Sequence, residues 1–130
     1  MRASYDLNDS VRNDAIRALA VLAQSSPKVA DQIPAKGFVA MLSSGSWTDR
    51  NKAAFLLNEL SKRRPPRLLN QLRSQALDSL IEMARWRVDG HAIFARTLLG
   101  RIAGIEETRL QQLVAGGQVD LIIQSLQRTK

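Results

Sequence analysis

The chain has 130 residues, a formal net charge of +7, a hydrophobic content of 45% and no cysteine. That length buries a real core in one domain without staples, the missing cysteines exclude disulfides and thiolate metal sites, and the single histidine, His91, cannot build a metal centre by itself. The opening MRASYDLNDS lacks the apolar run of a secretory leader and no stretch reaches the length of a membrane span, so the expectation is a soluble intracellular protein, or a piece of a larger one, with residues 1–130 forming a single domain.

The first periodic segment, VRNDAIRALAVLAQ, is apolar at Ala15, Ala18, Leu19 and Leu22, spaced three and four apart as one helical face requires. With Asp9 or Ser10 as N-cap, it predicts a long helix over 10–24. Ser26-Pro27 is a cap followed by proline at the first helical position, which opens a short helix over 27–33. Phe38, Val39, Met41 and Leu42 mark a medium helix. Thr48 or Asp49 then caps DRNKAAFLLNELSK, apolar at Ala53, Leu56, Leu57 and Leu60 and expected as a second long helix over 49–63.

Pro65-Pro66 ends that helix and starts a short one over 66–74. Leu80, Ile81, Met83 and Ala84 answer the earlier medium helix. Asp89 caps a third long helix over 90–103, apolar at Ala95, Leu98, Leu99 and Ile102. Inside it Gly100 weakens helix propensity by about 1 kcal/mol relative to Ala, and its expected return is close approach of a neighbouring helix. After the turn at Gly104, Glu106-Glu107 opens a short helix over 106–115, with carboxylates at its positive end. Gly116-Gly117 ends it, and Ile122, Ile123, Ser125 and Leu126 form the last medium segment. Period-two alternation is not evident anywhere, and no low-complexity linker divides the chain.

The long helices recur at steps of 38 and 42 residues and the medium ones at 42 and 42. Two interleaved series with one period near 40 residues indicate a helical repeat array. Residues 27 to 62 follow in order a short helix, a Gly-containing turn, FVAMLSSG and DRNKAAFLLNEL. In that order they resemble an armadillo repeat, and the chain is similar to the armadillo/HEAT family over nearly its whole length. The resemblance implies an all-α, right-handed α-α superhelix of about three repeats, the terminal ones incomplete. It also implies a peptide or partner domain held along the groove lined by the third, long helices.

Nuclear-import armadillo proteins carry Asn just before the last leucine of the third helix and Trp one turn earlier. Here those positions hold Val21, Glu59 and Arg101, and Arg17, Phe55 and Thr97. The resemblance therefore does not extend to the usual Asn ladder. Helix geometry draws the groove row as Asn13, Arg17, Val21; Asn51, Phe55, Glu59; and Ile93, Thr97, Arg101. Asn13, Arg17, Asn51, Phe55, Glu59, Thr97 and Arg101 are the candidate partner contacts, led by Arg17, Phe55 and Arg101. The competing reading is an ordinary solvated helix face.

Residues 60 to 105 hold nine Lys/Arg against Asp78, Glu82 and Asp89, so they carry +6 of the +7. Lys62, Arg63, Arg64 and Arg67 are the candidate anion-binding group, extended by Arg73, Arg85 and Arg87. Cations ending a helix are equally favoured by its dipole. Trp47-Thr48-Asp49 and Trp86-Arg87-Val88-Asp89 pair an aromatic with an acid at equivalent turns, a loose likeness to HEAT-like DNA glycosylases that capping and packing explain without chemistry. No triad, P-loop, dinucleotide motif or spaced carboxylate pair is present, so no enzyme, cofactor or metal is expected.

The leading expectation is a protein-interaction module. The alternatives are a co-chaperone of the armadillo-type nucleotide-exchange class and a nucleic-acid binder using residues 60–105. The closing QVDLIIQSL carries Leu121, Ile122, Ile123 and Leu126 on one short helix. It is expected to expose an apolar strip, through which the chain self-associates or continues into a longer array.

Leu19, Leu22, Leu42, Leu57, Leu60, Leu80, Ile81, Leu99, Ile102 and Ile122 are the recurring apolar positions and the expected core. Leu57→Ala or Leu99→Ala should each remove about 2–5 kcal/mol of stability. A denaturation midpoint unchanged in either variant would break the repeat alignment.

Overall fold

A computed structural model describes residues 9–128 and places a helix on every periodic segment. The order is α1 (Asp9–Ser25), α2 (Pro27–Gln32), α3 (Lys36–Met41), α4 (Trp47–Leu60), α5 (Pro66–Gln75), α6 (Leu77–Ala84), α7 (Asp89–Ile102), α8 (Glu107–Ala115) and α9 (Val119–Arg128). The protein is all-α, with no strand among the described residues. None of the described helices is long and apolar enough to cross a membrane. The chain divides into two compact units, Met1–Arg63 and Arg64–Lys130.

In the first unit α4 packs against α1, α2 and α3. Ser26 opens α2 by accepting a hydrogen bond from the Val29 N–H at 3.3 Å, with Pro27 at the first helical position. The cap of α4 is Ser46, whose Oγ accepts from the Asp49 N–H, so neither Thr48 nor Asp49 serves as expected. The Asp9 and Ser10 side chains lie outside the described residues. Helix α4 stops at Leu60, short of the expected residue 63, and Arg64 takes a left-handed φ of 53° before Pro65. Lys62, Arg63 and Arg64 thus follow the end of the helix and are not part of its last turn.

The buried stripe of α1 is Ile16, Ala20 and Ala23. Leu19 is half-buried and Leu22 is 52% exposed, which corrects the expected face by about one residue. Periodicity alone could not choose, because residues 15 to 23 of this helix are apolar on several sides. The choice follows from Arg12, one turn before Ile16, whose guanidinium is tied to Asp49 of α4 and turns that side of α1 inward. The rest of the first core comes from Ile33, Phe38, Val39, Leu42, Ala53, Ala54, Leu56, Leu57 and Leu60.

In the second unit α7 touches α5, α6, α8 and α9. It is buried without a break from Ala95 to Ile102, including Arg96, Thr97, Gly100 and Arg101. A methyl group at Gly100 would overlap the Leu110 side chain of α8, which is fully buried. Gly104, with φ +78°, then turns the chain from α7 towards α8, a left-handed conformation that favours glycine. Asp89 is the first residue of α7 rather than its cap, a position held by Val88.

Leu80, Leu99, Ile102 and Ile122 are buried as expected, and Ile81 is half-buried. The expected apolar strip on α9 is not found. Ile122, Ile123 and Leu126 are buried in a helix that packs on α7 and α8, leaving Leu121 alone exposed, at 42%. Neighbouring exposed apolar side chains lie instead on α1, at Val21 and Leu22.

In an open helix Gly→Ala stabilises by about 1 kcal/mol. At position 100 the sign should reverse, because the new methyl displaces a packed leucine: Gly100→Ala is expected to lose about 1–3 kcal/mol. Chemical denaturation checks this, and a Gly100→Ala/Leu110→Ala double variant should be more stable than the sum of its single changes.

Candidate functional site

The corner at the start of α4 is organised around one buried carboxylate. Asp49 accepts from Arg12 Nη2 at 3.0 and 3.2 Å and from Ser44 Oγ at 3.1 Å. Arg50 Nε donates to the Ser44 carbonyl at 2.7 Å, and its guanidinium lies 4.8 Å from the centre of the Trp47 ring. The Trp47-Thr48-Asp49 motif is accordingly a structural joint, with its acid committed to Arg12. In the second motif the Trp86 ring lies 5.3 Å from that of His91, and the Trp86 carbonyl accepts from Arg96. Asp89 pairs with Arg96 at 3.1 Å.

The candidate row divides by exposure. On α1 Asn13 is half-buried, with an enclosed Oδ1 that accepts no hydrogen bond, while Arg17 and Val21 are exposed. On α4, which packs against α1, Asn51 and Phe55 are half-buried. Glu59 is only 8% exposed, accepts from Gln24 Nε2 at 3.1 Å and pairs with Lys62 at 2.7 Å. In the second unit Ile93 is exposed and Thr97 is buried, with its hydroxyl donating to the Ile93 carbonyl at 2.9 Å.

Arg101 is 4% exposed. Its Nη2 donates to Glu107 Oε1 at 2.7 Å and its Nε to Oε2 at 3.3 Å. Arg64 donates to the same carboxylate at 2.9 Å and to the Ile105 carbonyl. Glu59, Thr97 and Arg101 thus present almost no surface, and their polar groups are used internally. Polar residue type suggested an open groove, but a charge on a closely packed helix is held inside when a partner lies within reach. For Arg101 that partner stands six residues on, in the pair Glu106-Glu107.

The basic run is likewise largely neutralised. Lys62 pairs with Glu59, Arg63 with Asp31 at 3.5 Å and Arg64 with Glu107, while Arg67 is exposed. Lys62 and Arg63 end the first unit and Arg64 and Arg67 begin the second. Arg73 donates to the Ile102 carbonyl at 3.1 Å, and Arg85 and Arg87 are exposed. Among the described residues, no group of three or more His, Cys, Asp or Glu is placed to hold a metal ion.

Hydrogen bonding from Arg101, opposed in part by desolvation and reinforced by Arg64, holds the Glu107 carboxyl down at about 2 against an ordinary 4.5. A depressed carboxylate stabilises the fold above the unfolded value and loses that contribution as pH falls from 4.5 towards 2. Glu107→Gln should therefore lower stability at pH 7, leaving Arg101 buried beside a neutral amide. The gap between wild type and variant should close on acidification to about pH 2, as followed by thermal unfolding across that window.

No family model, curated protein or solved structure matches the chain.

Proposed function

We propose that this protein is an interaction module built from armadillo/HEAT-like repeats, and that it holds a peptide or partner domain against the exposed side of α1 and the half-open side of α4. The observation that carries the reading is a recurrent packing order. In each unit a fourteen-residue helix, α4 or α7, packs on the shorter helices that precede it, with α2 and α3 serving α4 and α5 and α6 serving α7. Such units bury apolar faces against their neighbours and leave long-helix surfaces for recognition.

The exposed pair Val21 and Leu22, beside Arg17 on the same helix, gives that surface an apolar centre and a cationic edge. This composition suits a partner better than solvent. The buried Glu59, Thr97 and Arg101 of the original row support the fold and are not contact residues in this reading. Arg67, Arg85 and Arg87, exposed in the basic segment, supply the observation behind a second reading, the binding of nucleic acid.

Immobilised protein should retain a partner from cell extract whose affinity, measured with purified components, falls at least tenfold in an Arg17→Glu/Val21→Asp/Phe55→Ala variant of unchanged helicity. Retained affinity would move the site to another face. Binding to random duplex DNA with a steep salt dependence, abolished by reversing Arg67, Arg85 and Arg87, would favour the second reading instead.

A further inference from the structure

The second unit contains a cleft that residue pattern alone did not single out. It has a volume of about 290 Å³ and lies between Ile105 of the α7–α8 turn with Arg109 and Leu113 on one face of α8, and Leu121, Gln124 and Arg128 on one face of α9. The spacing explains the cleft. Residues four apart stack on a helix, so Arg109 and Leu113 form one row on α8, and the facing row on α9 advances by three and four. The rows have a common polarity. Leu113 and Leu121 adjoin the Gly116-Gly117 turn, whereas Arg109 and Arg128 stand away from it, in the first turn of α8 and at the end of α9. On the α9 side the wall therefore changes from apolar Leu121 to cationic Arg128, and on the α8 side Arg109 lies between the apolar Ile105 and Leu113.

The two arginines differ from those that serve as structural ties. Arg12, Arg64, Arg96 and Arg101 each hold a carboxylate. Arg109 and Arg128 are exposed, and neither has an ion pair with any carboxylate among the described residues. The exposed Glu106 carboxylate beside Arg109 accepts the backbone N–H of that residue at 2.9 Å as the cap of α8 and makes no ion pair with its guanidinium. Both arginines line one cleft, and Gln124 lies between Leu121 and Arg128 in the α9 row. Guanidinium forks recognise carboxylates by paired hydrogen bonds.

We propose that the α8–α9 cleft binds an extended acidic peptide segment of a partner protein, with one carboxylate on Arg109 and Arg128 and one bulky apolar side chain against Leu113 and Leu121. Charge complementarity selects the acid, and the apolar wall selects its neighbour. A bare phosphate would use the arginines and leave that wall uncovered. The separation is set by geometry. From Leu121 to Arg128 is two turns of helix, about 10 Å at about 1.5 Å per residue, and an extended chain advances about 3.3 Å per residue. The apolar residue and the acid thus stand two to four positions apart. This site belongs to the second unit and does not depend on the α1 and α4 surface proposed above.

The test is a titration of the full-length protein with a capped six-residue peptide carrying one leucine and, three positions on, one aspartate, followed by amide chemical shifts. Saturable shifts confined to residues 105–128 are expected. Replacing the aspartate with asparagine, or the leucine with glycine, should weaken binding at least fivefold. Arg109→Glu/Arg128→Glu should weaken it at least tenfold with helicity unchanged, and Leu121→Ser, at an exposed position, should weaken it without loss of stability. Absence of shifts at millimolar peptide, or equal affinity in the charge-reversed variant, would overturn the proposal. So would full competition by inorganic phosphate at equal concentration, or duplex DNA occupying the same residues more tightly than the peptide.

Discussion

Helix α7 is packed on by four other helices, and much of the second unit follows from that. A helix enclosed in this way must be narrow where its neighbours approach and must satisfy every polar group it carries. Ala92, Ala95 and Gly100 meet the first demand. Internal bonding meets the second. Arg96 donates to the carbonyls of Ala84 and Trp86 and pairs with Asp89, Thr97 bonds the Ile93 carbonyl, and Arg101 is held by Glu107. The last bond reaches the start of α8, so it also ties the entry of that helix to the end of α7. Arg64 on the same carboxylate joins the first residue of the unit to that point.

The first unit solves the same problem with the sign of the buried charge reversed. Asp49 sits in the first turn of α4, where a carboxylate is favoured by the helix dipole, and Arg12 crosses from α1 to meet it. This single pairing has two consequences. It commits the Arg12, Ile16, Ala20 and Ala23 side of α1 to the core, and it leaves Val21 and Leu22 outside. The apolar surface available to a partner is thus set by which of the several apolar sides of α1 the ion pair draws inward.

Net charge is a poor guide to what such a protein offers its partners. Most cations of the basic middle segment are consumed by neighbouring carboxylates or carbonyls, and a paired cation contributes little field at the surface. The exposed ones differ in their surroundings. Arg67, Arg85 and Arg87 stand as separate surface charges, whereas Arg109 and Arg128 share a cleft with apolar side chains. Shared enclosure turns a charge into a selective site, because water is excluded from part of the contact and geometry restricts what fits.

Sequence alone determined the helical class, the positions of the nine helices among the described residues to within a few residues, and most of the core. Apolar spacing of three and four, Ser26-Pro27, Pro66 at the start of α5 and the glycines at 104 and 117 are local signals, and local backbone chemistry decides them. The need for glycine at position 100 was also legible, although its partner Leu110 was not. Tertiary structure decided which face of α1 is inside, that the apolar residues of α9 are covered, and that Glu59, Thr97 and Arg101 are buried. It also decided which arginines are free to meet a ligand. These are pairwise facts: whether a guanidinium is a structural tie or an open site depends on a carboxylate's position in space, and no period or composition of one chain segment records that distance.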